Sequence, residues 1–470
     1  MSAHRSLADA PQSWREELAA TSRLAGPLVL ASLGQSLITT TDVLMIGRLG
    51  PDPLAASALA VNLFMVVMLT GTGLAVATAP LIAAAIGARA HSLREARRSF
   101  RMGLWLCLFY SVVGSVLLWN AGAIFRLFGQ DPDLSQQAEG FMRILMWSLF
   151  PALLVAAFRT LLTAFERTAV ALIIILAGVA VNALLNWVLI YGYWGAPRLG
   201  LAGSALASLI TNVAMAAALA LAVARMRKFR RIHWFGRLFR SDWPRFRRLV
   251  SVGAPIAASW AFEVSVFSAA VFLMGLIDTT SVAAHTIALQ IASLSFMVPL
   301  GLAQAVTIRI GMGYGAQDPE WIDRAGRVAL ALSMSFMSFA AAIIWLFPAQ
   351  LAGLYLDLDR PDSAPVLALA VKFLLIAAIF QLADGAQVTA AAMLRGLQDT
   401  TVPMIYSGLG YWVVGVGVGA WLAFGAGWAG EGVWVGLAAG LLAVAVLLLA
   451  RWSRRVKLGL VPARSAPNPH

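Results

Sequence analysis

The sequence predicts an all-α membrane protein of twelve transmembrane helices arranged as two pseudo-symmetric six-helix bundles. Three observations predict it. Of 470 residues, 60% are hydrophobic and only 12% charged, about half the charged share of a soluble domain. Apolar runs of helix-spanning length recur along the whole chain; the ~10-residue alternation of an outer-membrane barrel is absent. The stretch Pro27–Ala88 aligns without a gap on Pro255–Ala316, an offset of 228 residues, with identities that include Pro27, Gly47, Ala56, Gly73, Leu74 and Gly87.

The spans follow in order, with boundary errors of several residues. The first (24–46) precedes Arg48, and the second (54–86) runs into the basic segment 87–101. The third (102–122) ends before Arg126, and Arg167 separates the fourth (138–163) from the fifth (168–191). Arg198 precedes the sixth (200–224). The long segment 225–249 then carries ten Lys and Arg residues, among them Arg225, Arg227, Lys228, Arg230, Arg231 and Arg237. The seventh (250–277) and eighth (283–312) are joined by the polar turn Asp278-Thr279-Thr280-Ser281. The remaining four cover 328–347, 364–393, 400–424 and 432–450. The expected organisation is an N-terminal segment (1–23), an N-lobe (24–224), a basic linker (225–249), a C-lobe (250–450) and a tail (451–470), disordered beyond Leu460. A weaker echo, Thr168-Ala169-Val170 on Thr400-Thr401-Val402, supports the duplication.

Of the 35 Lys and Arg residues, 28 fall on the side holding the N-terminus. Four (Arg48, Arg126, Arg198, Arg360) fall on the other side, and Arg143, Arg159 and Lys372 lie inside predicted spans. The positive-inside rule therefore places both termini in the cytoplasm and relates the halves by an axis along the membrane normal. It also explains the net charge of +13 by topology and anionic-lipid contact rather than nucleic acid. The first 23 residues show no short apolar core followed by a cleavage site, so no signal peptide is expected. The single cysteine, Cys107, lies in an apolar run and reads as a small core residue.

Acids thin out inside the spans, leaving Asp42, Glu263 and Asp384. Lipid does not solvate a carboxylate, so such residues face a cavity or a partner. Glu263 aligns with Gln35, and Asp42 follows Gln35 by two helical turns, so each half carries an acid on the same face of its first helix. These acids are candidates for binding cations, for protonation, or for both; a helix-end cap for Asp42 and structural hydrogen bonds for the other two are the plain alternatives. Asn182 and Asn186, four apart on the fifth span, suit a polar cavity or interhelical hydrogen bonding equally. Gln35 and Gln290 are further cavity-lining candidates; with Gln304, Gln381 and Gln387 they also suit interhelical bonding. His285 reads as a structurally satisfied residue. No metal-ligand spacing, nucleophile–base set or Walker A motif appears, so no enzyme activity, ATP use or cofactor is expected. The glycines of 408–419 read as close helix packing.

At these motifs the chain resembles a known family. TTTDVLMIGRLG, FEVSVF with VAAHTIALQIASLSFMVPLGLAQAVTIRIG, NALLNWVLIYG and LADGAQVTAAAMLRGLQDTTVPM are similar to segments of multidrug and toxic compound extrusion (MATE) transporters of the NorM-like branch. The resemblance spans about 24–450. It implies a V-shaped pair of bundles that alternates access and exchanges organic cations for inward Na+ or H+. It carries Asp42, with Asn182, over as the N-lobe site and Glu263 with Asp384 as the C-lobe cation site, where Na+ would bind. Some relatives have a second acid on the fifth span where this chain has Asn186, which favours the C-lobe acids for coupling. The implied setting is a bacterial inner membrane, with organic cations and lipid as partners and a monomer as the expected assembly. A lipid-linked saccharide flippase of the same superfamily is the alternative; it would want an interior rich in Arg and Lys.

Overall fold

The computed structural model describes residues 11, 13–88, 92–226, 229, 234, 236, 239–356 and 363–461. Several expectations lie outside these residues: the first ten positions, Arg227, Lys228, Arg230, Arg231 and Arg237 of the linker, Arg360, and the tail beyond position 461.

Among the described residues twelve helices are long and apolar enough to cross a membrane, and there is no strand. The chain is a multi-pass helical membrane protein. The helices are α1 (Trp14–Gly47), α2 (Pro51–Gly87), α3 (Leu93–Trp119), α4 (Pro132–Ala164), α5 (Thr168–Tyr191), α6 (Leu201–Arg225), α7 (Trp243–Gly275), α8 (Thr279–Gly315), α9 (Pro319–Leu346), α10 (Ser363–Gly396), α11 (Thr401–Gly425) and α12 (Ala429–Ser453). All twelve expected spans are present, but several overrun them. α1 begins at Trp14 rather than 24, and α7 at Trp243 rather than 250. Hydropathy marks where a helix meets lipid, whereas helical hydrogen bonding continues through polar residues such as Arg245, Arg247 and Arg248.

Local chemistry sets the turns. The Asp278 carboxylate accepts from Ser281 N at 2.6 Å and caps α8. Asp318 accepts from Glu320 N and Trp321 N, both at 3.0 Å, with Pro319 at the first position of α9. Gly192 ends α5 at φ 78°, a conformation that favours glycine.

The chain forms two compact units: Leu30–Ala257, and Met1–Val29 with Ala258–His470. Their boundaries fall inside α1 and α7, two residues beyond Pro27 and Pro255. In the second unit the start of α1 packs Leu24, Ala25 and Leu28 against Leu302 and Ala305 of α8. There a Cβ on Gly301 would lie 2.7 Å from Val29 N. In the first unit a Cβ on Gly73 would lie 2.8 Å from Ala257 Cα. Gly73 and Gly301, and Val29 and Ala257, are each 228 positions apart, so the same close backbone approach occurs once per repeat.

Within the second unit α10 is central, packing on α8, α9 and α12. α11 contains π-helical turns at Leu409–Val416 and Trp421–Gly425 and packs on α12 through glycines. A Cβ on Gly436 would lie 2.3 Å from Gly419 Cα, and one on Gly440 2.7 Å from Gly415 Cα. This is small-residue packing of membrane helices. Gly436→Val is therefore expected to destabilise by about 1–3 kcal/mol, because the obstructing atoms are backbone and cannot rotate away. Gly26→Ala, whose Cβ meets nothing within 4 Å, should melt close to the parent; equal melting of all three proteins in detergent would refute the packing argument.

Candidate functional site

Two polar clusters lie inside the apolar helices, one in each unit. In the first, α1 supplies Asp42 near its end, α5 supplies Asn182 and Asn186 one turn apart, and α6 supplies Ser208. Asn186 Nδ2 donates to Asp42 Oδ1 at 2.5 Å and to Asn182 Oδ1 at 3.1 Å. Ser208 Oγ donates to Asp42 Oδ2 at 2.8 Å. Both asparagines are fully buried. Among the described residues the hydrogen bonds to the Asp42 carboxylate thus come from neutral donors rather than a cation. Asn186 Oδ1, Ser204 Oγ and Thr211 Oγ1 are buried with no hydrogen-bond partner among the described residues. Buried polar atoms are ordinarily satisfied, so unpaired ones call for a water or a ligand. Ser208 was missed in the sequence; its signal was the face Ser204, Ser208, Thr211 at helical spacing in an apolar span.

In the second unit α7 supplies Glu263, α10 supplies Asp384, Gln387 and Arg395, and α11 supplies Tyr411. One amide ties the acids together: Gln387 Nε2 donates to Asp384 Oδ1 at 3.4 Å and to Glu263 Oε1 at 3.5 Å. Tyr411 Oη, from the π-helical stretch of α11, donates to Gln387 Oε1 at 2.9 Å. Asp384, Gln387 and Tyr411 are all buried. The two carboxylates act on each other electrostatically, and the Arg395 guanidinium, 5.7 Å over the Trp260 ring, acts on Glu263. Arg395 counts by sequence as a loop cation, but α10 continues to Gly396 and keeps it in the bundle. The spacing Asp384, Gln387, Arg395 follows one helix face, which is the signal that was available.

The other candidates separate from these clusters. Gln35 accepts from Arg159 Nη1 at 3.3 Å in the first unit. Gln381 donates to Ala292 O at 3.2 Å and Ser295 Oγ at 2.6 Å, tying α10 to α8. Gln290 is exposed, and among the described residues no hydrogen bond joins its side chain to either cluster. His285 is buried against the Trp434 ring at 5.4 Å, with neither ring nitrogen hydrogen-bonded among the described residues, where a satisfied histidine was expected. Of the three cations expected inside spans, Arg143 pairs with Glu139 at 2.5 Å and Lys372 with Glu431 at 2.8 Å, both at exposed positions. That leaves Arg159 as the interior one of the three. No three His, Cys, Asp or Glu residues converge among the described residues.

Comparison with known proteins identifies the family. The MatE family model matches residues 27–188 and again 255–421, so its two copies begin at the same pair of prolines that opens the internal alignment. A "Probable multidrug resistance protein NorM" of Mesorhizobium japonicum is 50% identical over 459 residues, covering 97% of this chain and 98% of that protein. The "Multidrug resistance protein NorM" of Burkholderia vietnamiensis is 38% identical over 446 residues, covering 95% and 96%. Among solved structures, a MATE protein in complex with MaL6 superposes with a TM-score of 0.84 at 23% identity, over 98% of this chain and 99% of that one. A eukaryotic MATE transporter does so at 0.82 and 20%, over 95% and 99%. With the family model matched twice and full-length relatives at this identity, the chain belongs to the MatE family.

Proposed function

We propose that this protein is a secondary active multidrug efflux transporter that exchanges organic cations for inward Na+ or H+ by alternating access. The observation that carries the reading is the pair Glu263 and Asp384, two carboxylates in a helical membrane interior that share one Gln387 amide. Two acids so close repel in a medium that screens poorly, and a cation of any kind relieves the repulsion. An organic cation, Na+ and H+ then compete for one negative site. Competition becomes antiport when the ion and the drug favour different conformations, since a ligand shifts an equilibrium only by its differential affinity. Carboxylate, tyrosyl and amide oxygens suit Na+ as hard donors, and the same carboxylates suit H+. The Asp42 cluster, with one acid and unpaired polar atoms around it, serves as a second polar surface for cargo. The orientation that suits the Lys and Arg distribution puts both termini in the cytoplasm of a bacterial inner membrane.

Ethidium efflux from energised, drug-sensitive cells tests the reading, with and without sodium and after collapse of the proton gradient. Efflux that stops on withdrawing one of the two ions is the expected result and identifies the coupling ion. No efflux of any cationic dye, from protein confirmed in the membrane, would sink the antiporter and favour the saccharide flippase.

A further inference from the structure

A pocket and a groove in the first unit, away from both carboxylate clusters, share the same two walls. α3 opens with Arg94, Arg97, Arg98 and Arg101, a spacing that lays four guanidiniums along one helix face. Opposite them lie Arg240, Asp242 and Trp243, where the chain enters α7, and the space between is about 390 Å³. Among the described lining residues Asp242 is the one carboxylate. Its Oδ2 accepts from Arg98 Nε at 2.6 Å, and that guanidinium holds its carboxyl below the usual range. Arg98 also donates to Glu95 at 2.7 Å, and Glu95 pairs in turn with Arg245. Five arginines, Arg94, Arg97, Arg98, Arg101 and Arg240, thus line one pocket with Asp242, which leaves its walls strongly positive. Like charges at this spacing repel, and guanidiniums bind phosphate oxygens with paired donors.

One turn beyond Arg101 the wall changes character. Leu104, Trp105 and Leu108 line a groove of about 460 Å³ with Leu154 of α4 and Val213 of α6, almost all of it apolar. The second wall changes in the same way: Arg240 lines the pocket, whereas its neighbour Phe239 lines the groove, set edge-on to Trp105 at 6.1 Å. An arginine-lined pocket thus adjoins a mostly apolar groove, because neighbouring residues on both walls line the two in turn. A free phosphate would fill the first and leave the second empty. We propose that the two together bind one anionic phospholipid, its phosphate headgroup among the arginines and an acyl chain in the groove.

The test is native mass spectrometry of the purified full-length protein, titrated with phosphatidylglycerol or with phosphatidylcholine. Phosphatidylglycerol is expected to bind at least about tenfold more tightly, from the usual attraction of basic residues to anionic lipid. Arg94→Gln with Arg240→Gln, both exposed positions, should weaken phosphatidylglycerol about 10–30-fold and leave phosphatidylcholine unchanged. Val213→Trp, which fills the groove from a half-exposed position, should weaken it with the arginines intact. Equal binding of the two lipids, or phosphatidylglycerol binding unchanged in either variant, would overturn the proposal. Displacement by glycerol phosphate or inorganic phosphate at matching concentration would overturn it too, by identifying a soluble phosphate site.

Discussion

Replacing Asp384 by asparagine is expected to abolish cation-coupled dye efflux while leaving the protein folded and inserted. The amide keeps an oxygen where Gln387 Nε2 donates, at 3.4 Å in the parent, so the bridge from α10 to Glu263 persists. The negative charge is lost. With one acid instead of two, and Arg395 still acting on Glu263, the cluster no longer favours an added cation. Couplings of this kind are commonly worth ~5–150-fold in affinity, so efflux driven by the ion should fall by at least the lower figure. The measurement is initial efflux rate against ion concentration, at equal amounts of inserted protein. Parent-like rates and ion dependence in Asp384→Asn would remove Asp384 from the coupling role.

The second large effect is on stability. Glu17, at the start of α1, is fully buried and accepts from Arg309 of α8 through both oxygens, Nε at 2.9 Å and Nη2 at 2.6 Å. Thr21 Oγ1 donates to the same carboxylate at 3.1 Å, and the Arg309 guanidinium lies 5.0 Å from the Trp321 ring centre. Removing one partner of such a pair strands a charge away from water, at about 3–5 kcal/mol. Glu17→Ala should lower thermal stability in detergent by that order. Removing both charges, as in Glu17→Met with Arg309→Met, should recover much of the loss, because buried pairs exchange for apolar contacts at little net change. A single variant melting with the parent, or a double variant worse than the single, would contradict this account.

The sequence was most informative where one property dominates. Span count follows from apolar run length, and the duplication from an ungapped offset that the twofold family match repeats. Asp42 with Asn182 and Asn186, and Glu263 with Asp384, come together because helical spacing and the intolerance of lipid for charge leave them few other places. Ser208 and Tyr411 were hidden because a hydroxyl hardly alters hydropathy, although it holds the Asp42 carboxylate in one case and the Gln387 amide in the other. Arg395 was hidden by counting charge per loop, which treats the end of an apolar run as the end of a helix. The π-helical turns of α11, one of which carries Tyr411, lie beside glycine contacts with α12 that a one-dimensional pattern does not display.

The paired approach of Gly73 to Ala257 and of Gly301 to Val29 also governs how the gene can be divided. Severed after Met226, the C-terminal fragment would keep Leu302 and Ala305 but lack Leu24, Ala25 and Leu28, which cover them. The N-terminal fragment would keep Gly73 without the Ala257 backbone it was shaped to receive. Each fragment carries the arm the other needs, the arrangement of a domain swap fixed within one polypeptide. The halves of this chain are repeats in sequence, but the folding units are made by trading arms between them.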